Sequence, residues 1–478
     1  MSHAVARVGE PGRTRRRLDG PGPSGNVVSD VLDRGLRELI VATWGAITFG
    51  AVLASYFAFR PVRDALVLDG NPDQIPWLFT ATFVAVSVVS PAWSALLARG
   101  GRRRYVPLAF HAFAACSLGF AALVSAEVAP VAVGRVFYVW SSVFNLFIVS
   151  VFWSLLADLL GPDTAKRLYG PIAAGGTIGA VLGPLLTREL VGAAGVPGVL
   201  LLSAALLELG AASLYALRRA GESLEGAPAR DEAPPEPALP AALRGLVRLR
   251  SPYLLAIVGY VLCMATAATF MYLEQASITK VLLPTREART ALFATIDLWT
   301  NGCTFVVQML LAAPLLTRLG PGLVLVALPL AQGIGVTALA AAPSLATLMY
   351  VQIATRTATH GLTRPARELL FTVVDRDDKY RAKNAIDTVA YRFGDFGSSW
   401  LHLGLVSLGA GSAALVAATL PLVAVWIALA AALGIGFRRR QSLATQEPPC
   451  ASIAADSSSV RSPPASELPA AHARIRRP

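Results

Sequence analysis

The chain has 478 residues, of which 54% are hydrophobic and 15% are charged, and its mean hydropathy is +0.56. A soluble domain carries about 25% charged residues, so this composition excludes an ordinary soluble protein and indicates one embedded in a membrane. Apolar runs of about 20 residues recur along the chain, and each can cross the hydrocarbon layer as an α-helix.

These runs predict an all-α, polytopic membrane protein with twelve transmembrane helices in two halves of six. The first six lie near 39–59, 76–98, 105–125, 133–157, 171–191 and 198–217, and the second six near 252–273, 291–317, 322–342, 344–362, 385–408 and 412–436. Lys and Arg concentrate in the segments that are cytoplasmic if both termini lie inside the cell. This asymmetry predicts a bacterial-type inner membrane protein with both termini in the cytoplasm.

Composition also divides the chain into segments. Residues 1–38 and 438–478 are rich in Pro, Ser, Ala and Arg and are predicted to be disordered and cytoplasmic. The charged, Pro-rich segment 218–251 is predicted to be a cytoplasmic linker between an N-terminal half, 39–217, and a C-terminal half, 252–437. The net charge of +12 follows from the loop asymmetry, so we expect no nucleic-acid partner. Binding of nucleic acid by the RTRRR run at 13–17 is the weaker alternative.

The two predicted halves resemble each other. LFTATF at 78–83 and LFATID at 292–297 each open the second helix of a half, and the basic loops DTAKRLYG at 163–170 and DKYRAKNA at 378–385 each follow the fourth. Pseudo-symmetric halves around a midplane cavity are the plan of a major-facilitator-type secondary transporter.

Several kinds of chemistry have no motif here. The four cysteines show no CxxC or His/Cys spacing, so we expect no metal site and no disulfide framework. The sequence contains no Walker-type GxxxxGK, so we expect no ATP hydrolysis by the protein on its own. We also expect no cofactor and no enzymatic activity. The run GPIAAGGTIGAVLGP at 170–184 lies in a predicted span, where small residues allow close helix packing; a nucleotide-binding loop is the weaker interpretation.

The first predicted helix runs into YFAFRPVRDALVL at 56–68, where apolar residues resume after three charges. We expect the helix to continue past a kink at Pro61, because proline removes one backbone hydrogen bond. Arg60 and Arg63, beside Asp64, would then lie in the outer half of a central cavity, where guanidinium groups suit phosphate or carboxylate. The alternative is that the two arginines extend to the membrane interface at a helix end.

Predicted helix seven carries Glu274 near its outer end, in TFMYLEQASITK. Counting back from the two repeated segments places Glu274 at the position that Arg60 holds in the first half. An acid in one half opposite a base in the other predicts a gate or a substrate clamp. A glutamate exposed at the rim is the alternative.

Predicted helix eleven places ionisable residues within the membrane. On a helical wheel, Asp387, Arg392 and Asp395 share one stripe with Tyr391 and Ser398. This stripe cannot face lipid, and intramembrane ionisable residues are candidates for a functional site. A structural Asp–Arg pair that joins two helices is the alternative.

Five further ionisable residues lie inside predicted spans without a motif around them. We interpret them as groups that pair helices rather than as ligands. They are His111, Glu208, Asp297, Arg356 and His360.

Three segments together resemble a known family: RPVRDALV at 60–67, SVFWSLLAD at 150–158 and YRAKNAIDTVAYRFGD at 380–395. They are similar to the nucleotide transporter family that includes the ADP,ATP carriers of plastids and intracellular bacteria. The similarity covers most of residues 40–436. It implies a major-facilitator-like fold and the exchange of nucleotides such as ATP and ADP.

The resemblance also implies roles for individual residues. Arg63 and Glu274 match positions that are implicated in substrate binding in the family, and Asp387 and Arg392 match its pattern in helix eleven. Two positions depart from that pattern: Ser141 stands where the exchangers tend to have an acid, and Asp395 stands where they tend to have a lysine. These departures leave open another nucleotide or another organic anion as the substrate.

From these observations we expect a monomeric secondary transporter, in contact with membrane lipid, that moves phosphorylated nucleotides by alternating access. The predicted substrate-binding residues are Arg60, Arg63, Asp64, Glu274, Asp387, Arg392 and Asp395. The alternatives are a transporter of another organic anion and a non-transporting membrane scaffold or sensor; a membrane-embedded enzyme has no supporting motif.

Overall fold

The architecture comes from a computed structural model, which describes residues 27–100, 102–225, 251–375, 379, 382–383 and 385–446. Within these ranges the regular structure is helical. The α-helices are α1 Val27–Leu66, α2 Ile75–Gly100, α3 Arg102–Ser125, α4 Pro130–Leu159, α5 Pro162–Glu225, α6 Pro252–Leu282, α7 Arg286–Val306, α8 Ala313–Ala341, α9 Leu345–Thr357, α10 Arg364–Leu370, α11 Tyr391–Ser407 and α12 Ser412–Gln446. Three π-helical segments, Val307–Ala312, Ala358–Thr363 and Ile386–Ala390, join or extend them.

Among the described residues, seven helical stretches are long and apolar enough to cross a membrane. Two of them contain a reversal at a glycine with positive φ: Gly195 (φ 65°) divides α5, and Gly320 (φ 75°) divides α8. A residue with a side chain rarely adopts this backbone conformation, which explains glycine at both turns. These reversals separate predicted spans five from six and eight from nine. All twelve predicted spans fall on helical backbone, so the prediction of an all-α polytopic protein is confirmed.

The helices extend beyond their apolar cores. Helix α1 begins at Val27 and α12 ends at Gln446, so the prediction of disorder was wrong for residues 27–38 and 438–446. The polar end of α1 is held by pairing: Glu38 accepts from Arg167 at 2.7 Å and lies 3.4 Å from Arg34. A prediction from the apolar run alone underestimates the length of a helix whose charged end packs against a neighbouring helix. Residues 1–26, 226–250 and 447–478 lie outside the described residues.

Buried apolar side chains form separate clusters along the chain. One large cluster lies wholly within residues 41–217, and a second lies within residues 253–437. A third cluster joins the two, packing Leu68 and Ile75 with Leu273 and Phe293. We call the first two regions the N-terminal and C-terminal halves, and the third cluster is one place where they meet.

The glycine-rich run at 170–184 packs α5 against α1, as the small-residue interpretation predicted. A Cβ on Gly183 would lie 2.5 Å from the carbonyl oxygen of Ala54, and a Cβ on Gly50 would lie 2.9 Å from that of Gly175. These backbones approach too closely for any larger side chain. The prediction of close helix packing is therefore confirmed.

The two halves also meet at the end of the bundle formed by residues 67–74, 126–129 and 283–285, which we call the distal face. Arg286 of the C-terminal half donates to Asp69 at 2.7 Å and to Glu127 at 2.6 and 3.0 Å, both in the N-terminal half. Lys280 donates to the carbonyl of Gly70 at 2.5 Å. The hydrogen bonds from Arg286 lower the pKa of Glu127. These bonds close the bundle at the distal face.

Candidate functional site

A cavity between the two halves encloses about 1290 Å³ of space not filled by atoms, part of it open to solvent. Its wall is formed by α1, α2 and α4 from the N-terminal half and by α6, α8, α9, α11 and α12 from the C-terminal half. We call it the central cavity. The charged and aromatic residues in its wall are Arg60, Arg63, Phe79, Tyr138, Tyr272, Arg356, His360, Tyr391, Arg392, Asp395 and Trp426.

Two arginines of this wall, from opposite halves, share one carboxylate that is buried behind it. Arg60 of α1 places Nη1 3.2 Å from Asp297 Oδ1, and Arg356 of α9 places Nη1 2.9 Å from the same oxygen. Asp297 is 2% exposed, whereas the two guanidinium groups keep access to the cavity. Arg356 also donates to Gln275 at 3.4 Å. Asp297 therefore bridges the halves and neutralises part of an otherwise cationic wall.

Asp297 and Arg356 were interpreted from the sequence as helix-pairing groups, and their ion pair, which joins α7 to α9, confirms that interpretation. Arg356 also lines the central cavity, which the sequence analysis did not predict. A signal was available in the sequence. Gln352, Thr355, Arg356, Thr359 and His360 recur at three- and four-residue spacing, and all five line the cavity. Such spacing places residues on one helix face, so a wheel drawn for this helix would have found them.

Helix α1 continues through Pro61 as predicted, and it brings Arg63 to the cavity. Arg63 donates from Nε to Asp64 Oδ1 at 2.9 Å, and Asp64 also accepts from the hydroxyl of Tyr272 at 3.1 Å. The guanidinium carbon of Arg63 lies 5.1 Å from the ring centre of Tyr138. Asp64 is thus buried behind the arginine and fixes its position, while Arg63 itself faces the cavity.

The polar stripe of α11 turns toward the cavity, as the wheel predicted. Arg392 and Asp395 line it together with Tyr391, and Asp395 accepts a hydrogen bond of 3.4 Å from Thr269 of α6. On the opposite side Phe393 is 61% exposed, which is the lipid-facing pattern. The side chain of Asp387 lies outside the described residues.

Glu274 does not face Arg60, contrary to the sequence expectation. Residues Thr269 and Tyr272 of α6 point into the central cavity, whereas Phe270 and Glu274 lie on a different side of the helix and line a second cavity. Glu274 Oε1 lies 3.5 Å from His402 Nε2 of α11. The repeat counting could not give the direction of Glu274 around the helix axis.

Ser141, a departure from the family pattern, is fully buried and donates to the backbone of Tyr138 at 2.9 Å. Its neighbour Ser142 lines the cavity instead. The loss of an acid at position 141 therefore leaves the cavity wall unchanged in this conformation. Glu208 pairs with His111 at 2.9 Å, which joins α5 to α3 as the helix-pairing interpretation predicted.

Aromatic rings lie beside the cationic wall. Phe79 of α2 meets the rings of Tyr138 and Tyr272 edge-on, with centroids 6.3 and 5.9 Å away. Arginines suit phosphate or carboxylate, and aromatic faces suit a planar ring. The cavity can therefore hold an anionic molecule that also carries an aromatic or apolar group.

The chain belongs to the Major Facilitator Superfamily, whose family model matches residues 37–372. More particularly, residues 326–437 match the family model of the TLC ATP/ADP transporter, and the resemblance drawn from the sequence motifs is confirmed. ADP,ATP carrier protein 1 of Chlamydia muridarum is 26% identical over 246 residues, 46% of this chain and 46% of that protein. The protein of the same name from Chlamydia trachomatis is 25% identical over 225 residues, 42% of each chain. The match thus spans less than half the length of these relatives.

Solved structures of the same fold include the nucleoside transporter NupG, with a TM-score of 0.53, 15% identity and coverage of 84% of this chain and 98% of that one. An auto-inhibited POT family peptide transporter gives a TM-score of 0.56 at 13% identity, covering 84% and 97%. Identities this low establish the fold alone.

Proposed function

We propose that this chain is a secondary transporter that exchanges phosphorylated nucleotides, such as ATP and ADP, by alternating access of the central cavity. The observation that carries the proposal is the convergence of Arg60 and Arg356, two arginines of the cavity wall from opposite halves, on one carboxylate buried behind that wall. The family match over residues 326–437 and the chlamydial ADP,ATP carriers supply the substrate class.

In this proposal the phosphates bind the guanidinium groups of Arg60, Arg356 and Arg392. Guanidinium groups stay charged and offer paired donors, which fit phosphate oxygens. The base packs against Phe79 and Tyr272, where ring contacts add apolar area. Arg63, fixed by Asp64, adds a positive charge near the base end of the site.

The ion pairs of Asp297 make the conformational change depend on bound substrate. In the empty carrier the Asp297 carboxylate pairs with Arg356 of its own half and links the C-terminal half to Arg60 of the N-terminal half. A phosphate that binds these arginines competes with the bridge and weakens it, so a loaded carrier can change conformation more easily than an empty one. A ligand shifts such an equilibrium only by its differential affinity for the two states, and the bridge supplies that difference.

The position of Asp395 favours a second candidate, an organic anion with less charge than a nucleoside triphosphate. Its carboxylate lines the same cavity as Arg392 and repels an additional phosphate. Nucleoside monophosphates and other monoanions or dianions are the members of this class.

The remaining features of the proposal follow from the transporter assignment. The protein works without a cofactor and without enzymatic activity, as a monomer in contact with lipid, and it needs no nucleic acid. It resides in a bacterial-type inner membrane with the distal face outside and both termini in the cytoplasm, as the Lys and Arg asymmetry predicts. Asp387 belongs to the same polar stripe as Arg392 and is included in the proposed site.

A binding screen tests the substrate class. Purified protein is heated in the presence of nucleotides, nucleosides, sugar phosphates and dicarboxylates, and the melting temperature is recorded for each. We expect phosphorylated nucleotides to raise Tm in a saturable manner and unphosphorylated nucleosides to have a much smaller effect. Indifference to every phosphorylated compound would refute the proposal. Stabilisation by nucleoside monophosphates but not by diphosphates or triphosphates, or by dicarboxylates alone, would favour the second candidate.

A further inference from the structure

A second cavity lies within the C-terminal half, outside the site described above. It encloses about 700 Å³ of space not filled by atoms, between α6, α8, α11 and α12. Most of its wall is apolar, and it reaches the exposed residues Ala340 and Pro343 at the end of α8. The apolar side chains in the wall are Phe270, Met271, Ile278, Val336 and Leu339.

The polar end of this cavity holds two groups that can accept hydrogen bonds. Glu274 places Oε1 3.5 Å from His402 Nε2. His402 is 8% exposed, and its Nε2 has no hydrogen-bond partner within the described part of the chain. The imidazole packs edge-on against Phe270, with centroids 5.2 Å apart. A carboxylate and an imidazole nitrogen that lie 3.5 Å apart, with no hydrogen bond between them, thus face one apolar space.

Glu274 differs from Asp64 and Asp297 in the residue that forms its ion pair. Asp64 and Asp297 each lie within ion-pair distance of a guanidinium group, whereas the ion-pair partner of Glu274 in the described structure is a histidine. The Glu274 side chain is 25% exposed, so its carboxylate is open to the cavity, and its ion-pair partner among the described residues carries no permanent charge. A ligand that brings a cation would supply the missing pair.

We propose that the second cavity binds a small organic cation with an apolar body, whose ammonium group lies between Glu274 and His402. An ammonium has several N–H donors and can serve both acceptors at once. Its alkyl or aryl part removes the apolar wall from water, which is the usual character of a small-molecule site. A nucleotide does not fit this chemistry, because its phosphates would face the Glu274 carboxylate.

The second cavity is separate from the proposed nucleotide site but adjacent to it. Met271 and Gln332 line both cavities. Binding of the cation is measured without any transport, so the outcome of the binding experiment does not depend on the proposed exchange of nucleotides.

The test uses the full chain in nanodiscs of zwitterionic lipid, with n-hexylammonium as the probe and n-hexanol as its uncharged control. We expect n-hexylammonium to raise the melting temperature in a saturable manner and n-hexanol to produce no saturable rise. Glu274→Gln keeps the size of the side chain and removes the charge, so it should lower the affinity for n-hexylammonium by about tenfold or more.

Glu208→Gln is the matched control, because Glu208 also pairs with a histidine, at 2.9 Å, but both side chains are about half exposed. It should leave the response to n-hexylammonium unchanged. Val336→Phe adds volume to the wall while leaving the carboxylate in place, and it should also abolish the saturable response. This variant decides the matter if Glu274→Gln does not fold.

Three results would overturn the proposal. A response that does not saturate would show partition into the lipid only. An equal saturable response in the wild type and in Glu274→Gln would place the probe elsewhere. Retention of full binding by a folded Val336→Phe would show that the second cavity is not the site.

Discussion

Replacing Asp297 by asparagine removes the charge that holds Arg60 and Arg356 together while keeping the shape of the side chain. In the structure one carboxylate oxygen serves both guanidinium groups, at 3.2 and 2.9 Å. The variant leaves two arginines in the cavity wall without their shared counter-ion. We expect it to destabilise the empty protein and, at the same time, to bind an anionic substrate more tightly.

The structure sets the size of both effects. Removing one partner of a fully buried ion pair costs about 3–5 kcal/mol. Here the arginine side chains are 21% and 19% exposed, and the asparagine carbonyl still accepts a hydrogen bond, so we expect a loss of about 1–2 kcal/mol. On the substrate side, a hydrogen bond to a charged group contributes about 1.5–3 kcal/mol. Freeing the arginines from their competitor should therefore tighten nucleotide binding by about tenfold or more.

Two measurements on the same preparation check this prediction: the melting temperature without ligand, and the nucleotide Kd by calorimetry. Asp163→Asn is the control, because Asp163 pairs with Lys166 at an exposed helix start, and it should change neither quantity. A folded Asp297→Asn protein whose Kd is unchanged or weaker would refute the idea that the carboxylate competes with substrate.

Three further variants follow from the geometry. Arg392→Ala should abolish transport with little change in Tm, because Arg392 lines the central cavity rather than the packed core; normal nucleotide affinity in this variant would remove α11 from the site. Arg286→Ala should open the distal face, seen as a longer spin-label distance between positions 73 and 281, and an unchanged distance would show that other contacts close it. Because hydrogen bonding from Arg286 lowers the pKa of Glu127, the Glu127 bond should be intact above the ordinary glutamate pKa and lost only as pH falls through the lowered pKa. Gly183→Val should lower Tm by several degrees, since even a Cβ would lie 2.5 Å from the Ala54 carbonyl oxygen, and an unchanged Tm would contradict the close packing of α1 and α5.

The sequence was sufficient to predict those features that depend on a single helix. The apolar runs located the spans, and the wheel of helix eleven placed Arg392 and Asp395 on the cavity side and Phe393 on the exposed side. The glycines of α5 indicated close packing because only small residues allow it. Each of these inferences depends on local periodicity or on side-chain size.

The sequence was insufficient where two helices must be brought together. The shared contact of Arg60 and Arg356 with Asp297 depends on how three helices pack, and no spacing within one helix encodes it. The direction of Glu274 was missed for a similar reason, because a repeat does not fix rotation about the helix axis. The π-helical segment at 358–363 adds to this difficulty, since its extra residue shifts the helical register next to the cavity.

Counterflow in proteoliposomes tests the central claim most directly. Vesicles that contain the purified protein are loaded with unlabelled ADP or with buffer alone, and labelled ATP is added outside. We expect labelled ATP to accumulate only in the ADP-loaded vesicles, and Arg60→Ala to abolish that accumulation. No accumulation of any labelled nucleotide by folded wild-type protein, whichever phosphorylated nucleotide is loaded inside, would contradict nucleotide exchange.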